Sequence, residues 1–363
     1  MSWRETTLGE ITDLKRGFDL PKSQRLQGDV PVYSSSGITG SNSTAAVEGP
    51  CVITGRYGTI GEVFFSGGPC WPLNTALYST EFNGNNPRFV YYLLQTIPWQ
   101  GYTTASAVPG VNRNHVNLCP VKIPDKATQD AIVEVLDSIV DKIALNNQLN
   151  DYLANLCETI ASRYCNDRNS RLRDICYQVA DHVDYDNANQ ETYVSTESLM
   201  QNKGGRQLAS SLPTTGKITR YKAGDTLISN IRPYFKKIWY APFEGTCSGD
   251  VIVFRANDPS NAPYLHACLR QDSFFDYVMQ GAKGTKMPRG DKKQMMEFKV
   301  ASSCSTKDLI LLDSAIKQRS DNDSETVKLQ ALRDTLLPKL MSGEIDVSKV
   351  DLTQLTNNHL ADC

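Results

Sequence analysis

Residues Thr128 to Ile160 read TQDAIVEVLDSIVDKIALNNQLNDYLANLCETI. Apolar side chains fall at Ile132, Leu136, Ile139 and Ile143, and the same stripe continues through Asn146 and Asn150 to Leu153, Cys157 and Ile160. Steps of four and three alternate, a period of about 3.5 residues that keeps one face of a helix turned toward a partner helix. The stretch predicts one long helix with a single apolar stripe, and such a stripe needs something to cover it.

A second stretch of the same kind begins at Ser305 and Thr306, where Ser305 and Asp308 have capping-box spacing. Its apolar positions are Leu309, Leu312 and Ile316, then a polar run from Arg319 to Ser324, then Val327, Leu332, Leu336 and Leu340. Pro338 is expected to kink its last turns, Lys339 sits near the negative end of the helix dipole, and Gly343 is a natural stop. Two such helices can bury their stripes on each other as an antiparallel pair; the alternative is that each packs only on its own domain. The predicted contact set is Ile132, Leu136, Ile139, Ile143, Leu153 and Ile160 against Leu309, Leu312, Ile316, Leu336 and Leu340. Asn146, Asn147 and Asn150 are either register-setting polar positions or part of an exposed middle.

What precedes each helix repeats as well, at an offset of roughly 175 to 180 residues. A strand opened by a Gly turn (Gly49 to Thr54; Gly224 to Ser229) is followed by an arginine (Arg56; Arg232) and an aromatic or β-branched strand (Gly61 to Phe65; Lys237 to Tyr240). Then come a short aromatic helix (Arg88 to Gln95; Pro263 to Leu269) and a polar loop through Pro109 and through Pro288. A short strand closes each copy (Val121 to Ile123; Phe298 to Val300). The fold class is therefore α+β: two pseudo-symmetric globular α/β domains joined and spaced by an antiparallel pair of long helices. The expected segments are 1–126, 127–166 (first long helix), 167–304, 305–345 (second long helix) and a tail at 346–363.

The chain has 363 residues, enough for two domains with cores of their own. With 40% hydrophobic and 21% charged residues it has the profile of a globular protein. No apolar run reaches the roughly 18 residues of a membrane span, and MSWRETTLGE lacks a secretory signal, so a cytoplasmic location is expected. Ten cysteines occur without a CxxC pair and with only four histidines, which favours reduced buried thiols over zinc or disulfides; no metal site is expected. Net charge is −2, so a polyanion partner has to be met by local clusters. One is Lys283 to Lys293 (KGTKMPRGDKK), with five basic residues against Asp291, although a solvated charged loop has the same composition.

Catalytic signatures are missing. The nearest match to a methyltransferase [DNS]PP[YFW] motif is NPRF at Asn86 to Phe89, which lacks the second proline and reads as a turn opening a helix. Glu297 and Lys299 form an ExK pair without a convincing upstream acid, and no GxxxxGK[ST] loop is present.

The plan of globular domain, long helix, globular domain, long helix resembles the specificity subunits of type I restriction-modification enzymes. The run Leu329 to Val347, LQALRDTLLPKLMSGEIDV, is similar to the distal conserved region of that family, and VKIP at Val121 to Pro124 is similar to the entry into its first conserved helix. The Glu-Gln pair of that family at the first helix start is absent: Thr128, Gln129 and Asp130 stand there.

The resemblance implies a DNA-binding, non-catalytic subunit. Each domain would be a target-recognition domain reading one half of a split, asymmetric double-stranded DNA site, with the helix pair as a ruler. Some 35 helical residues span about 50 Å, against about 34 to 36 Å between half-sites one turn apart. Two methyltransferase subunits would dock on the chain, and motor-nuclease subunits would join them. S-adenosylmethionine, ATP and magnesium would belong to those partners, with no cofactor in this chain. Arg and Lys read guanine, Asn reads adenine, and other basic groups hold phosphates. On those grounds the candidate DNA contacts are Arg56, Tyr57, Asn112, Arg113 and Asn114 in the first domain. In the second they are Arg232, Tyr234, Lys283, Lys286, Arg289, Lys292 and Lys293. Two other readings stay open: a scaffold or inhibitor of methyltransferase subunits, which should be acidic on both domains, and a tandem-repeat nuclease or methyltransferase, which would act on DNA alone.

Overall fold

The computed structural model describes residues 3–103, 110–164 and 169–350. Pro109, the end of the first expected helix segment at 165–166, and residues 351–363 of the expected tail lie outside them. The chain divides into two units, Met1–Ile143 with Val327–Cys363, and Ala144–Thr326. Both long helices, Lys126–Arg163 and Thr306–Ser342, contribute to both units.

Each unit is built around a four-stranded antiparallel sheet. In the first its order is Lys15–Arg16, Ala76–Ser79, Cys51–Gly55, Val63–Ser66; in the second it is Cys176–Gln178, Val251–Ala256, Thr226–Ser229, Ile238–Tyr240. The inner strands Cys51–Gly55 and Thr226–Ser229 are buried along their whole length. Alternation explains why. Val52 and Leu77 point into the helical core of the first unit, while Cys51, Ile53 and Tyr78 point the other way onto Tyr33 of a second sheet. In the second unit Ile228, Ile252 and Phe254 face the helical core, and Leu227, Val251 and Val253 face Tyr221 and Cys247. An inner strand with both faces covered reads as an unbroken apolar run.

The repetition extends to individual hydrogen bonds. Leu8 N–H donates to Cys119 O at 2.9 Å and Leu172 N–H to Phe298 O at 3.0 Å. Gly9 N–H to Asn117 O has its counterpart in Arg173 N–H to Met296 O, and Val111 N–H to Arg56 O in Gly290 N–H to Asn230 O. These bonds correct one pairing made from sequence. Arg56 corresponds to Asn230, not to Arg232, and Tyr57 to Ile231, because the turn after the strand differs between the copies.

Lys126–Arg163 contains neither glycine nor proline, and its start is fixed by the Asp125 carboxylate, which accepts from Thr128 N–H at 3.0 Å. Thr306–Ser342 starts where Asp308 N–H donates to Ser305 Oγ at 3.1 Å and continues through Pro338. Gly343, at φ +77°, ends it. In the first unit Ile132 and Leu136 share a core with Leu340, with Leu336 packed against it; Ile139 is buried and Ile143 half-buried. In the second unit Cys157 and Ile160 pack with Leu312 and Ile316, flanked by Leu153 and Leu309. Each such side chain removed from water contributes about 1.5–3 kcal/mol.

The polar run of the second helix does not interrupt its buried face. Asn322 takes a buried position there, and the 3.5-residue period then reaches Leu329, which is buried. Val327, expected on the stripe, falls outside it and is 57% exposed. Asn146 and Asn150 are buried on the first helix, whereas Asn147 faces solvent.

Candidate nucleic-acid interface

The first unit carries a cavity of about 710 Å³ lined by Lys15, Arg16, Arg56, Tyr57, Leu77, Tyr78 and residues Gly110 to Asn114. All five candidate residues of the first domain, Arg56, Tyr57, Asn112, Arg113 and Asn114, are on its wall. Three segments bring them there. Arg56 and Tyr57 follow the inner strand Cys51–Gly55, and the Arg56 carbonyl accepts from Val111 N–H at 2.9 Å. Asn112 caps the short helix Arg113–Val116, its side chain accepting from Asn114 N–H at 3.0 Å. The Tyr57 ring lies against Gly110, where a Cβ would come within 2.3 Å of it.

Lys15 and Arg16 are the basic lining residues that the sequence reading missed. They lie on the outermost strand, registered opposite Tyr78 and Leu77, and only the strand order shows that they share a wall with Arg56. Among the described residues no carboxylate lines the cavity. Lys15 pairs at 2.5 Å with Glu81, which holds its ammonium above the ordinary range, and the Arg56 guanidinium lies 4.6 Å from the Tyr57 ring centroid. The result is a concave, cationic surface with an aromatic face and two side-chain amides.

The second unit arranges its candidates differently. Lys283 and Arg289 close the neck of the basic loop by exchanging two backbone hydrogen bonds of 2.9 Å. Asp291 caps the short helix Lys292–Met295, and Gln294 and Lys293 N–H groups, with Lys283, hold its carboxyl below the usual range. Lys292 and Lys293 thus stand where Arg113 and Asn114 stand in the first unit. Arg289 pairs with Asp250 at 3.2 Å and Lys283 with Asp291 at 3.4 Å, so part of the basic run is internally neutralised. Lys286, Lys292, Lys293 and Tyr234 are exposed, and Arg232 is half-buried.

The two motifs weighed for catalysis have other partners. Asn86 caps the helix Pro87–Gln95, accepting from Arg88 N–H at 2.8 Å. Glu297 is gripped by Arg171 and Arg173, and Lys299 lies on the strand paired with Ser170–Arg171. Gln129, beside the missing Glu-Gln pair, is buried and donates to Asn85 Oδ1 at 2.9 Å and Pro124 O at 3.1 Å. Among the described residues no helix is long and apolar enough to cross a membrane.

Residues 1–155 match the family model of the type I restriction modification DNA specificity domain. The chain is 19% identical over 354 residues to the type I restriction enzyme EcoDI specificity subunit of Escherichia coli, covering 83% of this chain and 77% of that protein. The chain is similar to type I restriction-modification specificity subunits, and its first 155 residues carry the match to their DNA specificity domain. Its fold is that of the S subunit of a type I restriction-modification system from M. genitalium, with a TM-score of 0.60 at 16% identity, covering 94% of this chain and 96% of that one. An α+β fold is thus shared by sequences that diverge strongly from one another.

Proposed function

We propose that this chain is a specificity subunit that binds double-stranded DNA through both units, each reading one half of a bipartite, asymmetric target. The observation that carries the reading is the cationic cavity of the first unit, which no carboxylate lines among the described residues. It gathers Arg56, Tyr57, Asn112, Arg113 and Asn114 with Lys15 and Arg16 from separate parts of the chain. Cations on such a wall suit phosphates, and arginine and asparagine suit base edges. The second unit offers Lys286, Lys292, Lys293 and Tyr234 on a different loop scaffold, which fits a second half-site of different sequence. The long helices would dock two methyltransferase subunits, and motor-nuclease subunits would complete the complex. Base modification, cleavage, and the S-adenosylmethionine, ATP and magnesium they require are assigned to those partners, working in the cytoplasm.

The deciding experiment is genome-wide methylation mapping in cells that express this chain with its neighbouring methyltransferase subunit, compared with cells lacking the chain. A methylated motif in two unlike halves around a fixed spacer, present only with this chain, is the expected result. No chain-dependent methylation, with the methyltransferase active alongside another specificity subunit, would favour a scaffold that does not read DNA.

A further inference from the structure

Five non-glycine residues among those described have left-handed backbone, and four of them meet in the second unit: Asn202 (φ 54°), Lys203 (61°), Arg232 (49°) and Lys236 (50°). Residues with a Cβ keep that conformation only where their surroundings over-determine it. Here the surroundings are explicit. Arg232 and Lys236 bracket the turn Pro233–Phe235, and Asn202 and Lys203 N–H groups donate to Phe235 O at 2.8 Å and Lys236 O at 2.9 Å. Asp272 Oδ1 accepts from Lys236 Nζ at 2.8 Å and from Lys203 Nζ at 3.0 Å. Lys203 Nζ also donates to Glu158 on the first long helix at 2.9 Å, and the buried Arg270 donates to Lys203 O at 3.2 Å.

The turn held this way ends in uncommitted groups. Tyr234 at its tip is 46% exposed, and the half-buried Arg232 keeps its Nε out of solvent without a hydrogen-bond partner among the described residues. Arg232 N–H donates to Pro288 O at 2.8 Å, which fixes the turn against the basic loop. We infer that the Arg232–Lys236 turn is a preset DNA-reading element, and that Glu158, Lys203 and Asp272 are positioning residues that hold Tyr234 and Arg232 in reading geometry. The inference rests on the DNA-binding function proposed above. Holding the contact groups rigid before binding removes an ordering cost that a free loop would meet on the DNA, and it favours one base sequence over its neighbours.

The test uses the full-length chain and a pool of duplexes with a randomised core, selected by binding and read by sequencing. Tyr234→Ala, a surface change, and Asp272→Asn should each lower the preference at one half of the selected motif, on the order of tenfold. The other half should keep its preference. The salt dependence of binding should stay as it was, since no phosphate contact is removed. Asp272→Glu should restore the preference, and Asp272→Asn on top of Tyr234→Ala should add less than it costs alone, the remainder being its hold on Arg232. An unchanged motif with Tyr234→Ala, or equal weakening of both halves by Asp272→Asn together with a lower melting temperature, would overturn the inference alone. No enriched sequence with the unaltered chain would overturn the DNA reading and this inference with it.

Discussion

Asn322 and Asn150 meet between the two long helices of the second unit: the buried Asn322 side-chain amide donates to Asn150 Oδ1 at 2.8 Å. The Asn150 amide N–H donates to the Asp323 carboxylate at 2.7 Å, and the Asn146 amide donates to Glu325 at 2.8 Å. A stripe of leucines slides by a turn at little cost, whereas a buried amide that loses its partner does not.

Asn322→Ala should therefore destabilise the chain by about 1–3 kcal/mol, because it strands the Asn150 carbonyl oxygen. Asn150→Leu with Asn322→Leu should recover that loss and instead yield mixed association states. Urea midpoints and sedimentation velocity separate the two effects; a single species from the double variant would deny the pair its register role.

The basic cavity makes a quantitative demand on binding. Arg56→Ala and Arg113→Ala should each weaken binding to a duplex of any sequence several-fold and reduce the salt slope by about 1. Lys15→Ala should do the same if its ammonium leaves Glu81 for a phosphate. For the second unit, Lys292→Ala with Lys293→Ala should weaken all binding and flatten its salt dependence; an unchanged slope would remove that pair from the interface.

His266 sets an acid limit on the second unit. It is fully buried, with Nδ1 3.2 Å from Thr226 Oγ1, and burial, then Arg270 and Arg319, hold its pKa well below the ordinary value. The folded chain keeps the ring neutral, while the unfolded chain gains a proton below about pH 6.5. Stability from this group is thus complete above about pH 6.5 and lost as pH falls, by about 1.4 kcal/mol per pH unit down to the folded-state pKa. Comparing urea midpoints at about pH 7.5 and about pH 5.5, His266→Gln should lose less than the unaltered chain.

Gly343 ends the second long helix at φ +77°, and a Cβ there would lie 2.8 Å from the Trp3 ring. Gly343→Ala should cost about 1–3 kcal/mol from backbone strain and crowding together. Trp3→Leu should relieve only the crowding, so that the double variant recovers part of the loss in chemical denaturation.

The long helices, the duplicated plan and the resemblance to specificity subunits were legible in the sequence, because a stripe with a 3.5-residue period and a capped start are local properties of the chain. So were Arg56, Asn112 and Arg113 as candidates, since residue type alone says what can meet a phosphate or a base edge. What brings them together is not local. Lys15 and Arg16 reach the same wall because their strand pairs with Ala76–Ser79, which in turn pairs with Cys51–Gly55, a pairing set by long-range hydrogen bonds. The correspondence of Arg56 with Asn230, the exposure of Val327 beside a buried Asn322, and the four left-handed residues around Arg232 belong to the same class. The sequence by itself determined which elements form and which chemistry they carry. Only the tertiary structure decided which side chains share a surface, because strand order and backbone handedness follow from packing between segments far apart in the chain.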